Sequence, residues 1–271
     1  MEKVINSQVK NYWESKTCET DKATSTPFTK NYHDQIENYR YSITPEVFEF
    51  AQFTRYKDKK VLEVGVGAGT DFCQWVKAGC IATGIDLTNE AVKNTASKLA
   101  SEKLYKYELR VADVENLPFK DEIFDLVYSW GVIHHTTNME KALEEVCRVT
   151  KRNGEIKLML YNSGSVLAYL AWLKVNILKL QFPKSIKACF YNGYFESVGT
   201  KVYSKKEFKK MFSKLPVEIE SINSRVCGYD LLQSQEGILG SRLFKSIAYL
   251  MACLLGYGSS GFFSRITLRR I

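Results

Sequence analysis

The chain has 271 residues, 45% of them hydrophobic and 25% charged, with 16 glycines and 5 prolines. This composition excludes a disordered or fibrous chain and predicts one large globular domain, or one domain with a lid. Lys and Arg number 38 against 30 Asp and Glu, but the excess is local: residues 1–162 hold 22 basic and 24 acidic side chains, residues 163–271 hold 16 and 6.

Residues 1–58 carry aromatic and charged side chains in helix-like spacing (Tyr12, Trp13, Tyr32, Tyr39, Tyr41, Phe48, Phe53) and are expected to form a helical cap lying across the ligand edge of a sheet. Tyr12 and Trp13 read first as plain core aromatics. From 59 to 162, short apolar runs alternate with helix-length segments: KVLEVG at 60–65, CIATGID at 80–86, YELRVAD at 107–113, FDLVYSWG at 124–131 and EIKLMLY at 155–161. Strands spaced this way are successive βα units of a parallel sheet, which predicts a doubly wound, Rossmann-like α/β core. The helices between them fall at Asp71–Ala78, Glu90–Glu102 and Met139–Thr150, the last with Asn153-Gly154 as its stop.

From 163 to 271 the alternation breaks into lid helices and the last strands. Val166–Phe182 is apolar except for Lys174, Asn176, Lys179 and Gln181, which do not share one helical face. Such a helix is either a lid over a pocket or an interfacial membrane helix with snorkelling lysines. Ser204 with Glu207 is a capping box opening a helix whose Phe208, Met211, Phe212 and Leu215 face inward. The run Lys205, Lys206, Lys209 and Lys210 then lies on its solvated face. Strands at Val217–Asn223 and Phe262–Arg269 complete a mostly parallel sheet of seven, and Leu243–Leu255 is a further apolar helix before the last of them.

Seven cysteines, odd in number and never spaced C-x-x-C, make neither a disulfide framework nor a zinc site. A reducing cytoplasmic setting and no metal are expected. The N-terminal MEKVINSQVKNYWESK lacks the apolar core of a signal peptide, and no run reaches the ~18 apolar residues of a spanning helix.

Open α/β sheets bind ligands beyond the carboxyl ends of their strands. Here the first strand runs into Glu63-Val64-Gly65-Val66-Gly67-Ala68-Gly69-Thr70, a G-x-G-x-G pattern with an acid two residues before it. A dinucleotide fingerprint would need a glycine where Thr70 stands, and no P-loop Lys-Ser/Thr follows. Asp86, 21 residues after Gly65, ends the second strand where a carboxylate can accept from ribose hydroxyls, and Asp113 ends the third. Together these describe a ligand with ribose and base but no pyrophosphate.

VLEVGVGAGT, GIDLT, ADVENLPF, FDLVYSWGVIHHT and EEVCRVTKRNGEIKLMLY, in unbroken order over about 58–162, resemble the successive motifs of class I S-adenosylmethionine-dependent methyltransferases, and within them the ubiquinone/menaquinone-biosynthesis-like group. The resemblance implies S-adenosyl-L-methionine as cofactor. It places Glu63, Gly65 and Gly67 at the methionine moiety, Asp86 with Leu87 at the ribose, Asp113 with Val114 at the adenine, and Ser129, Trp130 and Gly131 at the methionine end.

Methyl transfer to a small molecule with apolar surface is the expected function, with nucleic acid not the expected partner and a peripheral membrane contact an alternative use of the apolar helices. A tRNA methyltransferase, suggested by the basic C-terminal part, and a non-catalytic cofactor-binding scaffold are the competing readings. His134 and His135, two of the three histidines, follow the fourth strand beside the expected methionine end. Either is a candidate base for a departing acceptor proton, with a structural role as the alternative. His135 is favoured as the residue further from the strand, and acids such as Glu14 or Glu196 are the substitutes if neither acts.

Overall fold

A computed structural model describes residues 2–178, 185–195, 197–233 and 241–271. The apolar runs form strands β1 (Lys60–Val64), β2 (Ile81–Asp86), β3 (Glu108–Val111), β4 (Phe124–Trp130), β5 (Thr150–Tyr161), β6 (Val217–Asn223) and β7 (Phe263–Arg270). They join in one sheet of order β3-β2-β1-β4-β5-β7-β6. Only β7 runs against its neighbours. This is the Rossmann-like, mostly parallel α/β sheet that the spacing predicts.

Among the described residues, ten α-helices surround it: α1 (Glu2–Ser15), α2 (Lys30–Ile43), α3 (Glu46–Ala51), α4 (Thr70–Lys77), α5 (Asn89–Ser101), α6 (Met139–Val149), α7 (Val166–Leu178), α8 (Ile186–Tyr191), α9 (Lys205–Phe212) and α10 (Arg242–Leu255). The central strands are buried on both faces, so their side chains split by alternation. Leu62 and Val64 of β1 join a core with Leu143 and Val146 of α6 and Phe208 and Phe212 of α9. Val61, one residue earlier, joins the opposite core with Phe72 and Trp75 of α4 and Leu99 of α5.

α9 begins with the expected capping box, Glu207 N–H donating to Ser204 Oγ at 3.3 Å and Ser204 N–H to Glu207 Oε2 at 2.9 Å. One boundary differs from expectation. Asn153-Gly154 does not stop α6, which ends at Val149; β5 starts at Thr150, and the ladder to β4 jumps from Phe124↔Thr150 to Leu126↔Glu155. The pair thus occupies a bulge, with Asn153 at φ +61°.

α7 and α10 pack on each other, as Val166 and Leu167 of the first meet Ala248 and Ala252 of the second. Residues 179–182 of the apolar stretch lie outside the described residues. Among the described residues, no helix is long and apolar enough to cross a membrane.

Candidate active site

β1 and β4 are neighbours whose onward connections diverge to opposite ends of the sheet, so a crevice opens at their carboxyl ends. There lies a cavity of about 380 Å³, within the roughly 300–1,000 Å³ of small-molecule sites.

The turn after β1 forms its floor. Gly65 and Val66 N–H groups donate to Ile85 O at 2.8 and 3.2 Å, fastening the turn to β2. Gly65 and Gly67 both have positive φ, +81° and +53°, which an L side chain rarely adopts. Their reasons differ. A Cβ at Gly65 would collide with the Val132 side chain, whereas one at Gly67 would meet no protein atom within 4 Å and would stand in open space.

Asp86, at the end of β2, holds this turn in shape. Its Oδ2 accepts from Gly67 N–H at 3.1 Å, and its Oδ1 accepts from Thr88 N–H at 3.0 Å and Thr88 Oγ at 2.8 Å. Burial raises its pKa, and those donors oppose the rise. Leu87, Asp113 and Val114 line the wall beyond it, with Asp113 Oδ1 accepting from Glu115 N–H at 2.9 Å.

Glu63 is buried in the cavity wall, with one carboxyl oxygen, Oε2, lacking a hydrogen-bond partner among the described residues. Desolvation, then the neighbouring Asp71 carboxylate, push its pKa well above the carboxylate range; Arg40 opposes them more weakly. Trp130 and Gly131 reach the cavity, but Ser129 does not: it is buried behind β4, donating from Oγ to Val64 O at 3.1 Å.

N-terminal residues line the other side. Tyr12 and Trp13 are cavity-wall residues rather than plain core, and the Trp13 ring lies edge-on to His135 with centroids 5.2 Å apart. Helical spacing alone cannot distinguish a face turned to core from one turned to a pocket. The rest of this half is aromatic: Tyr161, Phe195, Tyr229 and Phe263 join Trp130. No described residue of α7 or α10 lines the cavity, so these helices form a layer behind its wall and not the wall itself.

The sequence reading did not find the charged network beneath the cap. Arg40 of α2 donates to both oxygens of Asp71 on α4, Nε to Oδ1 at 3.2 Å and Nη2 to Oδ2 at 2.6 Å. Tyr128 and Tyr41 hydroxyls also donate to that carboxylate, at 2.9 and 3.3 Å. Glu19 lies 3.5 Å from Arg40 Nη1, and the guanidinium stacks 5.3 Å over Trp130. The only sequence signal was Asp71 itself, an acid in the first turn after the glycines.

The two adjacent histidines separate. His135 lines the cavity, and its Nδ1 meets Thr200 Oγ at 3.0 Å and Ser197 Oγ at 3.2 Å. His134 does not line it; it is fully buried, its ring 3.8 Å from that of Tyr161. Burial lowers both pKa values, that of His135 to about 3. Glu14 also lies away from the cavity, accepting from Asn89 N–H at 3.2 Å, and Glu196 lies outside the described residues. Among the described residues, no cluster of His, Cys, Asp or Glu is arranged to hold a metal.

The residues present fit S-adenosylmethionine. The unpartnered oxygen of Glu63 suits a cationic amino group, the space over Gly67 admits a ligand against backbone, and Asp86 and Asp113 stand at successive strand ends where ribose and base would lie.

Residues 62–158 match the family model described as a methyltransferase domain. The chain is 36% identical over 106 residues to an uncharacterized methyltransferase, YcgJ, of Bacillus subtilis, covering 38% of this chain and 40% of that protein. It is 32% identical over 113 residues to a malonyl-[acyl-carrier protein] O-methyltransferase of Erwinia billingiae, covering 42% and 43%. The chain thus matches about two-fifths of the length of these curated relatives. Across 98% of both chains the fold is similar, at TM-score 0.65 and 13% identity, to geranyl diphosphate C-methyltransferase of Streptomyces coelicolor solved with Mg2+, geranyl diphosphate and S-adenosyl-L-homocysteine. Residues 62–158 are thus similar to a methyltransferase domain, set in a fold shared with a solved methyltransferase.

Proposed function

We propose that the chain methylates a small-molecule acceptor with substantial apolar surface, using S-adenosylmethionine. The observation that carries this reading is one continuous cavity whose floor is the glycine turn with Asp86 and whose far half is aromatic. Geranyl diphosphate, the acceptor named for one of the structurally similar proteins, carries an apolar isoprenoid chain, which agrees with that half.

When bound, the cofactor supplies a methyl group on a cationic sulfur. The chain's own residues then have to bind, orient and exclude water. Asp86 would hold the ribose while keeping its bonds to the glycine turn, because each carboxylate oxygen offers more than one lone pair. Glu63 would pair with the amino group. Trp13, Tyr161 and Phe263 would hold the acceptor against the cofactor end and keep water from it. His135, with its pKa near 3, is neutral throughout the physiological range. It can accept a hydrogen bond from an acceptor hydroxyl or amine, but proton transfer to so weak a base has little driving force. Positioning is its role in this reading.

Calorimetric titration with S-adenosylmethionine and S-adenosylhomocysteine tests the reading. Asp86→Ala should weaken both roughly tenfold to over a hundredfold, as expected for losing charge-assisted hydrogen bonds. Failure of the wild-type chain to bind either compound would sink it. A salt-dependent gel shift with total tRNA separates it from the RNA reading.

A further inference from the structure

α10 leaves a second, bulky apolar face exposed among the described residues. A surface helix buries its bulky apolar side chains and exposes polar ones. Here Ala248 and Ala252 are fully buried, with Phe244 and Met251 half-buried against the same cluster, while Leu243, Leu250 and Leu254 are 67%, 59% and 78% exposed, with Ile247 aligned between them. These four recur at helical spacing and form one stripe along α10. Tyr169 and Leu173 of α7, which packs on α10, are exposed as well. An apolar face spread over two helices marks an interaction surface.

The charge around it selects the partner. The sequence contains no Asp or Glu from 163 to 195 or from 237 to 271, so the charged residues on these two helices are cations: Lys174 on α7, Arg242 and Lys245 on α10. A second copy docking face to face would set cations against cations. An anionic surface with an apolar interior satisfies both features.

We infer that the α7–α10 face docks on an anionic lipid bilayer, with α10 lying in the plane of the interface and its leucines among the acyl chains. Leu167 of α7 packs both on the α10 cluster and on the cluster containing Met159, Tyr161 and Phe263, which line the cavity. The docked face therefore lies one side-chain layer behind the acceptor half. Delivery of a membrane-dissolved acceptor to that half rests on the methyltransferase reading; the docking itself does not.

Flotation of the full chain with vesicles of phosphatidylcholine, with and without phosphatidylglycerol, tests the inference. The chain should float with the anionic vesicles at low salt, and Leu250→Glu and Leu254→Glu should each lower partitioning at least about tenfold, since each replaces a buried acyl contact by a charge. Arg242→Gln with Lys245→Gln, which leaves the stripe intact, should remove the preference for anionic over neutral vesicles. S-adenosylhomocysteine binding, measured beside it, should be unchanged in all variants and shows that they are folded. No flotation of the wild-type chain with anionic vesicles overturns the inference, as does flotation undiminished in both glutamate variants. A concentration-dependent dimer that Leu254→Glu dissolves, without vesicle binding, overturns it in favour of self-association.

Discussion

Glu63 differs from the other acids of the site in having a buried oxygen without a partner, and its raised pKa follows from that burial and from Asp71 nearby. A carboxyl held above its ordinary range by burial and a neighbouring carboxylate holds its proton more readily than a free one. An arriving cation stabilises the carboxylate, lowers the pKa and releases the proton. Binding should therefore be more exothermic in Tris than in phosphate at pH 7, because Tris takes up the proton with the larger heat. Up to about one proton per site should be released. Glu63→Gln, which has no such proton, should lose the difference. Equal enthalpies in the two buffers for the wild-type chain would contradict proton release from Glu63 on binding. At this scale the sequence carried much of the information: the acid before the glycines and the acids after β2 and β3 all reach the cavity, because strand ends fix where such side chains stand. Ser129 did not, since alternation along β4 turns it to the opposite face from Trp130.

Between elements, the decisive contact was not legible. Arg40 and Asp71 are 31 residues apart, and a charged residue on a helix ordinarily reads as a solvated one. Only the docking of α2 on α4 buries both, leaving Asp71 4% and Arg40 11% exposed. The ion pair fixes the cap to the helix that follows the glycine turn, so it couples the two sides of the cleft. Arg40→Met should cost about 3–5 kcal/mol, because it strands a buried carboxylate with two hydroxyl donors. Adding Asp71→Asn to it should recover part of that loss by removing the stranded charge. Urea unfolding of the two variants checks this, and a single variant within about 1 kcal/mol of wild type would show that water screens the pair. The strands and α9 were legible for the opposite reason: apolar alternation and a capping box are local signals that tertiary packing reinforces. α7 and α10 were legible as helices but not in their place, since apolar composition does not say which side the core lies on.

For the whole molecule, the site is shared between parts that differ in how firmly they are held. The floor belongs to the sheet, whereas Tyr12 and Trp13 come from α1, whose hydrogen bond from Asn89 N–H to Glu14 is exposed. A terminal helix that buries few side chains, here Val9 among the described residues, opens at lower free energy than the sheet. A ligand that fills the cavity touches both, so its binding free energy should pass into α1 as well as into the sheet. At about 100 times the dissociation constant the gain is ~2.7 kcal/mol, which for a chain of this size raises Tm by roughly 5–10 °C. S-adenosylhomocysteine should therefore slow amide exchange in Glu2–Ser15 in addition to the glycine turn, and Trp13→Ala should reduce the first effect while leaving the second. If saturating ligand protects the turn but leaves exchange in α1 unchanged, the cap is a bystander and the cavity closes some other way. The order of protection matters too: the buried central strands β1 and β4, expected to exchange only through global unfolding, should change only as Tm does, whereas α1 should change most, because its opening is the one the ligand directly opposes.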